Sequence, residues 1–278
     1  YGLVWDQYDE AFTEPVPVHA LGTLIHTIEA YMAAAEATTE PEWLDRAEKM
    51  TAFAYKVASK NNWRIPEYYD EEWQPSLEAG KLCNDGRRYH EGYVTGHSMQ
   101  LARFALQVRA GLRSTGWAVP DYLMELGTEL FERARVDGWR RTDGAPGFST
   151  AVNDQGDPVP GEDEHQQWVV CEGVCATVAV RRAMLDDGHR IDEVEHFEHC
   201  YRSFVDYIHD YLIAQPGRWI RRLGPHNESV QPAKSSRWDV YHAIQAMLAI
   251  RVPLWPPTAP ALSRGLLDHP EESAPDKK

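Results

Sequence analysis

Three features are scarce in this sequence of 278 residues: long apolar runs, positive charge and cysteine. No apolar run approaches the roughly 18 residues that would predict a transmembrane helix. Lysine and arginine total 28 against 43 aspartates and glutamates, which gives a formal net charge of −15. Because nucleic acids and anionic membranes both bind basic surfaces, this acidic balance argues against either as a partner.

The four cysteines do not have the spacing of a zinc site or of a disulfide framework. Cys171 and Cys175 share one helical face, which suits small buried side chains. Together with Cys83 and Cys200 they are predicted to be reduced core residues of a cytoplasmic protein. The chain opens on Tyr1, without a start methionine or a signal peptide, so it is expected to begin inside a longer protein.

Signals for a metal, a phosphate or a covalent nucleophile are also weak. His189, His196, His199 and His209 cluster around an outer, charged helix without partner carboxylates in a capping loop, so no metal site is predicted there. The sequence has no glycine-rich phosphate loop and no Ser-His-Asp or Cys-His pattern. We therefore expect neither a metal nor a cofactor.

The apolar residues, 43% of the chain, are enough for a sizeable core and recur at helical spacing. Capping residues and prolines divide this pattern into helices that form three and a half antiparallel hairpins. The seven predicted helices span about residues 21–37, 41–60, 96–111, 120–136, 163–185, 191–214 and 238–251. The first, third, fifth and seventh are richer in small and apolar residues, so they are predicted to form an inner layer beneath the charged others.

Long irregular segments separate the hairpins, at residues 61–94, 137–161 and 217–236. Such loops in a compact domain are usually functional. The turn pair Asp143-Gly144 in the second predicts a short β-hairpin, and residues 219–223 in the third form a possible strand. Residues 1–254 are interpreted as one helical domain and the proline-rich residues 255–278 as a loosely ordered tail.

Four of the helices carry a polar or aromatic group near their start, each after a long irregular segment. These groups are His26, His97, Trp168 and His242, separated by 71, 71 and 74 residues. A near-constant period of this size is typical of an internal repeat in a toroid or solenoid of α-hairpins. In the last repeat, Asp239 and His242 project from the same end of one helix, facing what the preceding loop encloses.

The order and spacing of several stretches carry a family resemblance over nearly the whole chain, up to Leu254. The stretches are Ile25-His-Thr-Ile-Glu-Ala-Tyr-Met-Ala-Ala34, Trp43-Leu-Asp-Arg-Ala47, Ile65-Pro-Glu67 with Trp73, Gly96-His97, Trp168 with Glu172, and Trp238-Asp-Val-Tyr-His-Ala-Ile-Gln-Ala246. With them the sequence resembles the N-acylglucosamine 2-epimerase superfamily, and within it the aldose–ketose isomerases that act on mannose and sulfoquinovose. The resemblance implies an all-α (α/α)6 barrel of twelve helices, of which this chain holds about seven and lacks the first five.

The resemblance also implies a cofactor-independent isomerase or epimerase that moves a proton through a cis-enediol. A base takes a proton from the carbon beside the carbonyl and an acid returns one to the neighbouring carbon. Imidazole suits both roles because its usual pKa, about 6.5, lies near working pH. His97 and His242 match the family's catalytic pair. The residues expected to bind the monosaccharide are His26, Trp168, Glu172, Gln100, Arg88 and Asp239.

Some of these positions differ from the family pattern. Gln100 stands where the family has a glutamate three residues after its first catalytic histidine, and Gly22 stands where it has an asparagine. Arg88 lies near the family's hydroxyl-binding arginine but one or two residues out of register. Asp239 is expected to cap its helix or to orient His242.

Other interpretations of the same residues stay open on sequence grounds. If Glu67 and Glu172 faced one sugar, a glycoside hydrolase on the same barrel would be the rival. The changes at Gln100 and Gly22 also permit a non-catalytic carbohydrate-binding homologue. A histidine such as His26 on an apolar helix can be a core residue, a helix-start histidine can cap its own backbone, and tryptophans most often pack in cores. The oligomeric state is not readable from the sequence.

Overall fold

The computed structural model describes residues 1–82, 89–142, 145–230 and 239–268. These residues are mostly helical, and all seven predicted helices are present with their ends moved by a few residues. The helices are α1 (Leu21–Thr38), α2 (Glu42–Ala58), α3 (Leu77–Gly80), α4 (Thr95–Ser114), α5 (Tyr122–Gly138), α6 (Gln167–Asp186), α7 (Glu195–Tyr207), α8 (Val240–Ala249) and α9 (Thr258–Ser263). A 3-10 turn, Ile191–Val194, precedes α7, and a π-helical turn, Ile208–Leu212, follows it. Within the described ranges, no helix combines the length and apolar character needed to cross a membrane.

The long helices form two layers. In one layer α1, α4, α6 and α8 lie side by side in that order, and α2, α5 and α7 pack against this row. Because α4 and α6 are each flanked by two helices of the row, they are buried around almost their whole circumference. This arrangement matches the inner and outer helices predicted from composition. Each large apolar side chain buried here contributes about 1.5–3 kcal/mol to folding.

Helix α8 ends the row and is covered on one side only. Its buried residues are Ala243 and Ala246, and it packs against α6. On its opposite face, Val240, Ile244 and Met247 are 56%, 51% and 63% exposed. Their spacing of four and three residues aligns them in one apolar stripe, which no segment of the described chain covers. Apolar patches of this kind usually mark an interaction surface.

Short antiparallel strand pairs lie in the loops between the helices. The strands are β1 (His19–Ala20), β2 (Tyr68–Tyr69), β3 (Tyr93–Val94), β4 (Trp139–Thr142), β5 (Ala145–Phe148), β6 (Ala151–Val152), β7 (His165–Gln166), β8 (Ile213–Gln215), β9 (Arg218–Trp219) and β10 (Arg222–Leu223). They pair as β1–β2, β3–β6, β4–β5, β7–β10 and β8–β9. Strands β1, β3 and β7 run without a break into α1, α4 and α6, so sheet hydrogen bonds help to fix where each of these helices begins.

The strands predicted from the sequence are present in a modified form. The predicted β-hairpin is confirmed, because β4 and β5 pair over four residues each, although its turn at Asp143-Gly144 lies outside the described residues. The possible strand at 219–223 is divided between two sheets. Its first residue pairs with Ile213 in β8, and its last pairs with His165 in β7.

The segment expected to be a loose tail is packed over residues 255–268. Ala261 of α9 is fully buried, and Trp255 lies against Gly111 of α4. Proline content alone suggests a loop, but these apolar side chains find partners on the helices. Residues 269–278 lie outside the described part of the chain.

The cysteines that the structure describes are core residues. Cys171, Cys175 and Cys200 are free and buried, as predicted, and burial raises the pKa of each thiol. Buried thiols with a raised pKa are chemically inert. Cys83 lies outside the described residues.

Candidate active site

The first residues of the inner helices recur at a nearly constant interval along the sequence. Helices α1, α4, α6 and α8 begin at Leu21, Thr95, Gln167 and Val240, which are 74, 72 and 73 residues apart. His97 and His242 each lie two residues after the first residue of their helix. His26 lies five residues after, one turn deeper, so it is not the equivalent of His97 that the 71-residue spacing predicts. Strand β1, rather than the apolar pattern, determines where α1 begins.

Polar side chains line up in levels along the inner helices. The level five residues after the helix starts holds His26, Gln100 and Glu172. The level eight residues after them holds Glu29, Arg103 and Cys175. Because three residues of helix advance by about 4.5 Å, these levels lie roughly one turn apart. The two histidines nearest the helix starts therefore have polar groups beneath them.

His97 is oriented by a buried carboxylate from another part of the chain. Its Nδ1 lies 2.7 Å from Oε2 of Glu67, and Oε1 of Glu67 accepts a hydrogen bond from the backbone N–H of Val94 at 3.2 Å. An ionised carboxylate only accepts hydrogen bonds, so this contact places the proton of the neutral ring on Nδ1. Nε2 of His97 then carries the lone pair that a general base needs.

His242 has the same arrangement through a carboxylate on its own helix. Asp239 caps α8, because its Oδ1 accepts the backbone N–H of His242 at 3.2 Å, and its Oδ2 lies 2.7 Å from the ring Nδ1. Asp239 therefore performs both of the structural roles expected for it. Burial tends to raise the pKa of Asp239, but the hydrogen bonds and charge of His242 outweigh it and lower the pKa. The stabilisation from this carboxylate is thus present above the usual pKa of aspartate, about 3.9, and is lost as the pH falls below that range.

Trp168 brings the two histidines into one place. Its ring centroid lies 5.3 Å from that of His97 and 5.7 Å from that of His242. A Cβ atom on Gly96 would lie 2.3 Å from the indole, so only glycine leaves room for this ring beside the start of α4. The indole is partly exposed, packs against the core and contacts both imidazoles.

Glu172 is held beneath His242 by a buried guanidinium. Nε and Nη2 of Arg103 donate to its carboxylate at 3.1 and 2.9 Å, and the two side chains are 4% and 1% exposed. Burial acts to lower the pKa of Arg103, but the negative charge of Glu172 outweighs it and the pKa is raised. Oε1 of Glu172 lies 3.8 Å from Nε2 of His242. The carboxylate therefore lies next to the ring nitrogen of His242 that does not contact Asp239.

His26 is a surface residue of this cavity rather than a core histidine. Its side chain is 52% exposed, which excludes the core interpretation. Its Nδ1 lies 3.0 Å from Oε2 of Glu29, and Oε1 of Glu29 accepts a hydrogen bond from the hydroxyl of Tyr241 at 2.5 Å. Since Tyr241 belongs to α8 and Glu29 to α1, side chains from the two ends of the row of inner helices meet here.

Gln100 and Arg88 complete the residues singled out by sequence. Gln100 is 1% exposed, and its Nε2 has no hydrogen-bond partner among the described residues. A buried amide without a partner costs about 1–3 kcal/mol, which a ligand oxygen or a water would recover. Arg88 lies outside the described residues. Within the described residues, histidine, cysteine and acidic side chains do not gather in groups of three or more that could hold a metal ion.

Sequence reasoning missed several residues that organise this site. Glu67 belongs to a stretch that carries the family resemblance and is a candidate hydrolase carboxylate, but it lies 30 residues before the histidine that it contacts, so no local pattern links the two. Arg103 could not be recognised from the sequence, because a charged residue on a buried helix indicates an ion pair only when its partner is known. Glu29 could have been found, since it lies three residues after His26 on the same helical face.

Comparison with known proteins places this architecture in a family. A family model described as N-acylglucosamine 2-epimerase (GlcNAc 2-epimerase) matches residues 1–246. The chain belongs to the N-acylglucosamine 2-epimerase family. The matched region runs from the start of the chain into α8 and includes His242, so the described site residues of this family member all lie within it.

Curated relatives with similar sequences are D-mannose isomerases. The enzyme of Thermobifida fusca is 30% identical to this N-acylglucosamine 2-epimerase family member over 270 residues, which cover 94% of this chain and 61% of the relative. The enzyme of Pseudomonas cannabina pv. alisalensis is 29% identical over 265 residues, with the same coverage. The chain thus spans about three fifths of the length of the curated relatives it matches.

Solved structures share the fold at lower sequence identity. A crystal structure of D-mannose isomerase has a TM-score of 0.75 and 22% identity, covering 90% of this chain and 60% of that one. The cellobiose 2-epimerase of Spirochaeta thermophila DSM 6192 has a TM-score of 0.67 and 14% identity, covering 89% and 58%. At these identities the likeness establishes a common helical fold for this family member.

Proposed function

We propose that the protein interconverts an aldose and a ketose, or epimerises a sugar, by proton transfer from two histidines without a cofactor. The observation that carries this proposal is that His97 and His242 lie against the same indole, each with Nδ1 on a carboxylate. Two imidazoles held in place through Nδ1 leave Nε2 for proton transfer, which is what a proton-shuttling site requires. The D-mannose isomerases among the relatives favour a mannose-, glucose- or sulfoquinovose-like monosaccharide.

The chemistry needs only proton movements. One imidazole takes the proton from the carbon next to the carbonyl, and the carbonyl oxygen is protonated, so that a cis-enediol forms. A proton then returns to the former carbonyl carbon while the neighbouring hydroxyl loses its own, which gives the isomer with no net oxidation. Return of a proton to the original carbon from the opposite face gives the epimer. Ring opening of the pyranose uses the same kind of proton transfer to the ring oxygen.

The surrounding residues would bind and orient the sugar. The face of Trp168 suits the C–H groups of a pyranose or open-chain sugar. Glu172, held in place by Arg103, would accept hydrogen bonds from sugar hydroxyls, and His26 and Gln100 would contact the sugar from the same level. Arg88 is proposed as a hydroxyl-binding residue from the family resemblance, and Asp239 acts mainly through His242.

The complete protein is proposed to be an (α/α)6 barrel, with residues 1–254 as its C-terminal part. The uncovered apolar stripe on α8 supports this, because further helices would bury Val240, Ile244 and Met247. The length of the relatives also supports this proposal, because the match to this chain covers only 61% of the relative's sequence. The free, buried cysteines favour a reducing, cytoplasmic location.

The glycoside hydrolase alternative is less well supported by the geometry. It requires one protonated and one ionised carboxyl group facing the same sugar. Glu67 is instead occupied by His97 and the N–H of Val94, and Glu172 by Arg103. Both carboxylates are therefore engaged by other groups of the protein, which does not favour either as the general acid of a hydrolase.

The decisive experiment uses the protein expressed from its complete reading frame in deuterated water. We expect deuterium at the carbon beside the carbonyl when mannose, fructose or sulfoquinovose is supplied. Release of a reducing end from aryl glycosides without such exchange would support the hydrolase. Binding of a sugar with neither reaction would support a non-catalytic role and contradict the proposal.

Replacing Asp239 with asparagine should separate orientation of His242 from capping of α8. Asparagine caps a helix about as well as aspartate, so the melting temperature is expected to change little. Its Nδ2 would face the imidazole and force the opposite tautomer, so kcat should fall about 100-fold. Steady-state rates and thermal unfolding of the Asp239→Asn variant test this. Wild-type kcat in this variant would show that the ring needs no carboxylate.

A further inference from the structure

The first turn of α8 is tied to the rest of the molecule from two directions. From α6, Nε2 of Gln167 donates to the backbone carbonyl of Asp239 at 3.0 Å. From α1, Glu29 accepts the hydroxyl hydrogen of Tyr241 at 2.5 Å. Tyr241 directly precedes His242, and their rings meet edge to face at 4.8 Å between centroids. The position of this turn therefore depends on contacts from both α6 and α1.

Helix α8 depends on such ties more than the other inner helices do. It has ten residues, and a helix shorter than about 12–15 residues is marginal without tertiary contacts. One of its faces packs on α6, and the opposite face is exposed. Asp239 orients the ring of His242, but it belongs to the same turn and moves with it. Only contacts from other helices can fix where His242 lies relative to His97 and Trp168.

The Glu29 contact is a strong hydrogen bond between an anion and a neutral phenol. Burial tends to raise the pKa of Glu29, but the hydrogen bonds from His26 and Tyr241, together with the charge of Arg103, outweigh it and lower the pKa. Burial raises the pKa of Tyr241 and keeps its hydroxyl protonated. Charge-assisted hydrogen bonds of this type are about twice as strong as neutral ones. The second oxygen of Glu29 contacts the ring of His26, so this carboxylate binds one group from each end of the row of inner helices.

We propose that Glu29 and Tyr241 are positioning residues, which together hold His242 and His26 in register across the cavity. Their catalytic consequence rests on the proposed sugar isomerase or epimerase function. Neither side chain is assigned contact with the reacting atoms. Their effect is to keep the first turn of α8 at one distance from α1, so that both imidazoles meet the same substrate.

The test uses Tyr241→Phe, Glu29→Ala, Glu29→Gln and the double variant Tyr241→Phe/Glu29→Ala, each expressed from the complete reading frame. Tyr241→Phe and Glu29→Ala should each lower kcat about 10–100-fold, as loss of an orienting partner does. In Tyr241→Phe, KM should change by less than about threefold, because His26 keeps its contact with Glu29 and the sugar contacts remain. Glu29→Gln keeps an acceptor for the phenol and should retain more activity than Glu29→Ala. The double variant should be no slower than Glu29→Ala alone.

A matched control is present on the outer helices. The hydroxyl of Tyr55 in α2 donates to Oε2 of Glu125 in α5 at 2.8 Å, which is the same kind of bond far from the cavity. Tyr55→Phe should leave kcat at the wild-type value. Multiplicative losses in the Tyr241 and Glu29 double variant, or an equal loss in Tyr55→Phe, would overturn the inference.

A second readout separates this inference from the proposed function. The imidazole resonances of His242 in ¹⁵N-labelled protein report its tautomer and surroundings without any substrate. They should shift or broaden in Tyr241→Phe and Glu29→Ala and stay unchanged in Tyr55→Phe. If no sugar is isomerised, the proposed function is wrong, and these resonances still decide the positioning role. Unchanged His242 resonances in all variants would refute it.

Discussion

Replacing His242 with asparagine is expected to lower kcat for sugar isomerisation by about 10²–10⁴-fold, the usual contribution of a general acid or base. Asparagine keeps the backbone N–H that Asp239 caps, so α8 should remain folded. His97→Asn should give a loss of similar size. Because the two imidazoles serve one proton transfer sequence, the double variant should lose far less than the product of the two effects. Initial rates with mannose and deuterium exchange in single turnovers measure both steps.

The matched control for these variants is His199→Asn, which replaces an exposed histidine on the outer helix α7. It should have wild-type kcat and an unchanged melting temperature. A His242→Asn or His97→Asn variant that keeps more than about a tenth of the wild-type kcat would assign that imidazole to packing rather than chemistry.

Replacing Arg103 with methionine is expected to lower the free energy of unfolding by about 3–5 kcal/mol. The methionine fills most of the volume of the arginine, but it leaves the carboxylate of Glu172 buried without its guanidinium partner. The double variant Arg103→Met/Glu172→Met removes both charges and should recover most of the lost stability, because an apolar pair of similar volume replaces the ion pair. Chemical denaturation of the three proteins at one pH measures these differences.

Arg46→Met supplies the control for the stability measurement. Arg46 pairs with Glu42 at 2.6 Å on the exposed face of α2, where water screens the interaction. Its removal should leave the unfolding free energy almost unchanged. If Arg103→Met lowered the unfolding free energy as little as Arg46→Met does, the buried ion pair with Arg103 would not be what holds Glu172 in place. Sugar affinity should be lost in the double variant even where stability returns, because the carboxylate itself is gone.

The helices of this fold follow from the sequence because amphipathic periodicity extends over 13 to 20 residues in most of them. The two-residue strands that lead into α1, α4 and α6 are too short to show a period, so they were not predicted. Since these strands set the helix starts, the sequence repeat placed His26 level with His97 when it lies one turn deeper. Periodicity identifies the face of a helix better than it identifies the first residue.

The candidate site could likewise be predicted only in part from the sequence. The repeat predicts His26, His97, Trp168 and His242 as one set, and the structure brings the rings of the last three together. Asp239, the partner of His242, lies three residues away, but other partners in the site come from distant segments. Glu67, just before β2, contacts His97 of α4, and Arg103 of α4 contacts Glu172 of α6 at a separation of 69 residues. Such pairings depend on tertiary packing, so the paired residues are not separated by a characteristic spacing in the sequence.

The strand pairs that precede the inner helices have a consequence for how substrate preference can change. Because β1–β2, β3–β6 and β7–β10 fasten the starts of α1, α4 and α6, the connecting segments beyond them can vary in length without displacing His97 or Trp168. If the proposed function is correct, exchange of a whole connection between relatives, cut at these strands, should therefore change sugar preference and leave the positions of His97 and Trp168 unaltered.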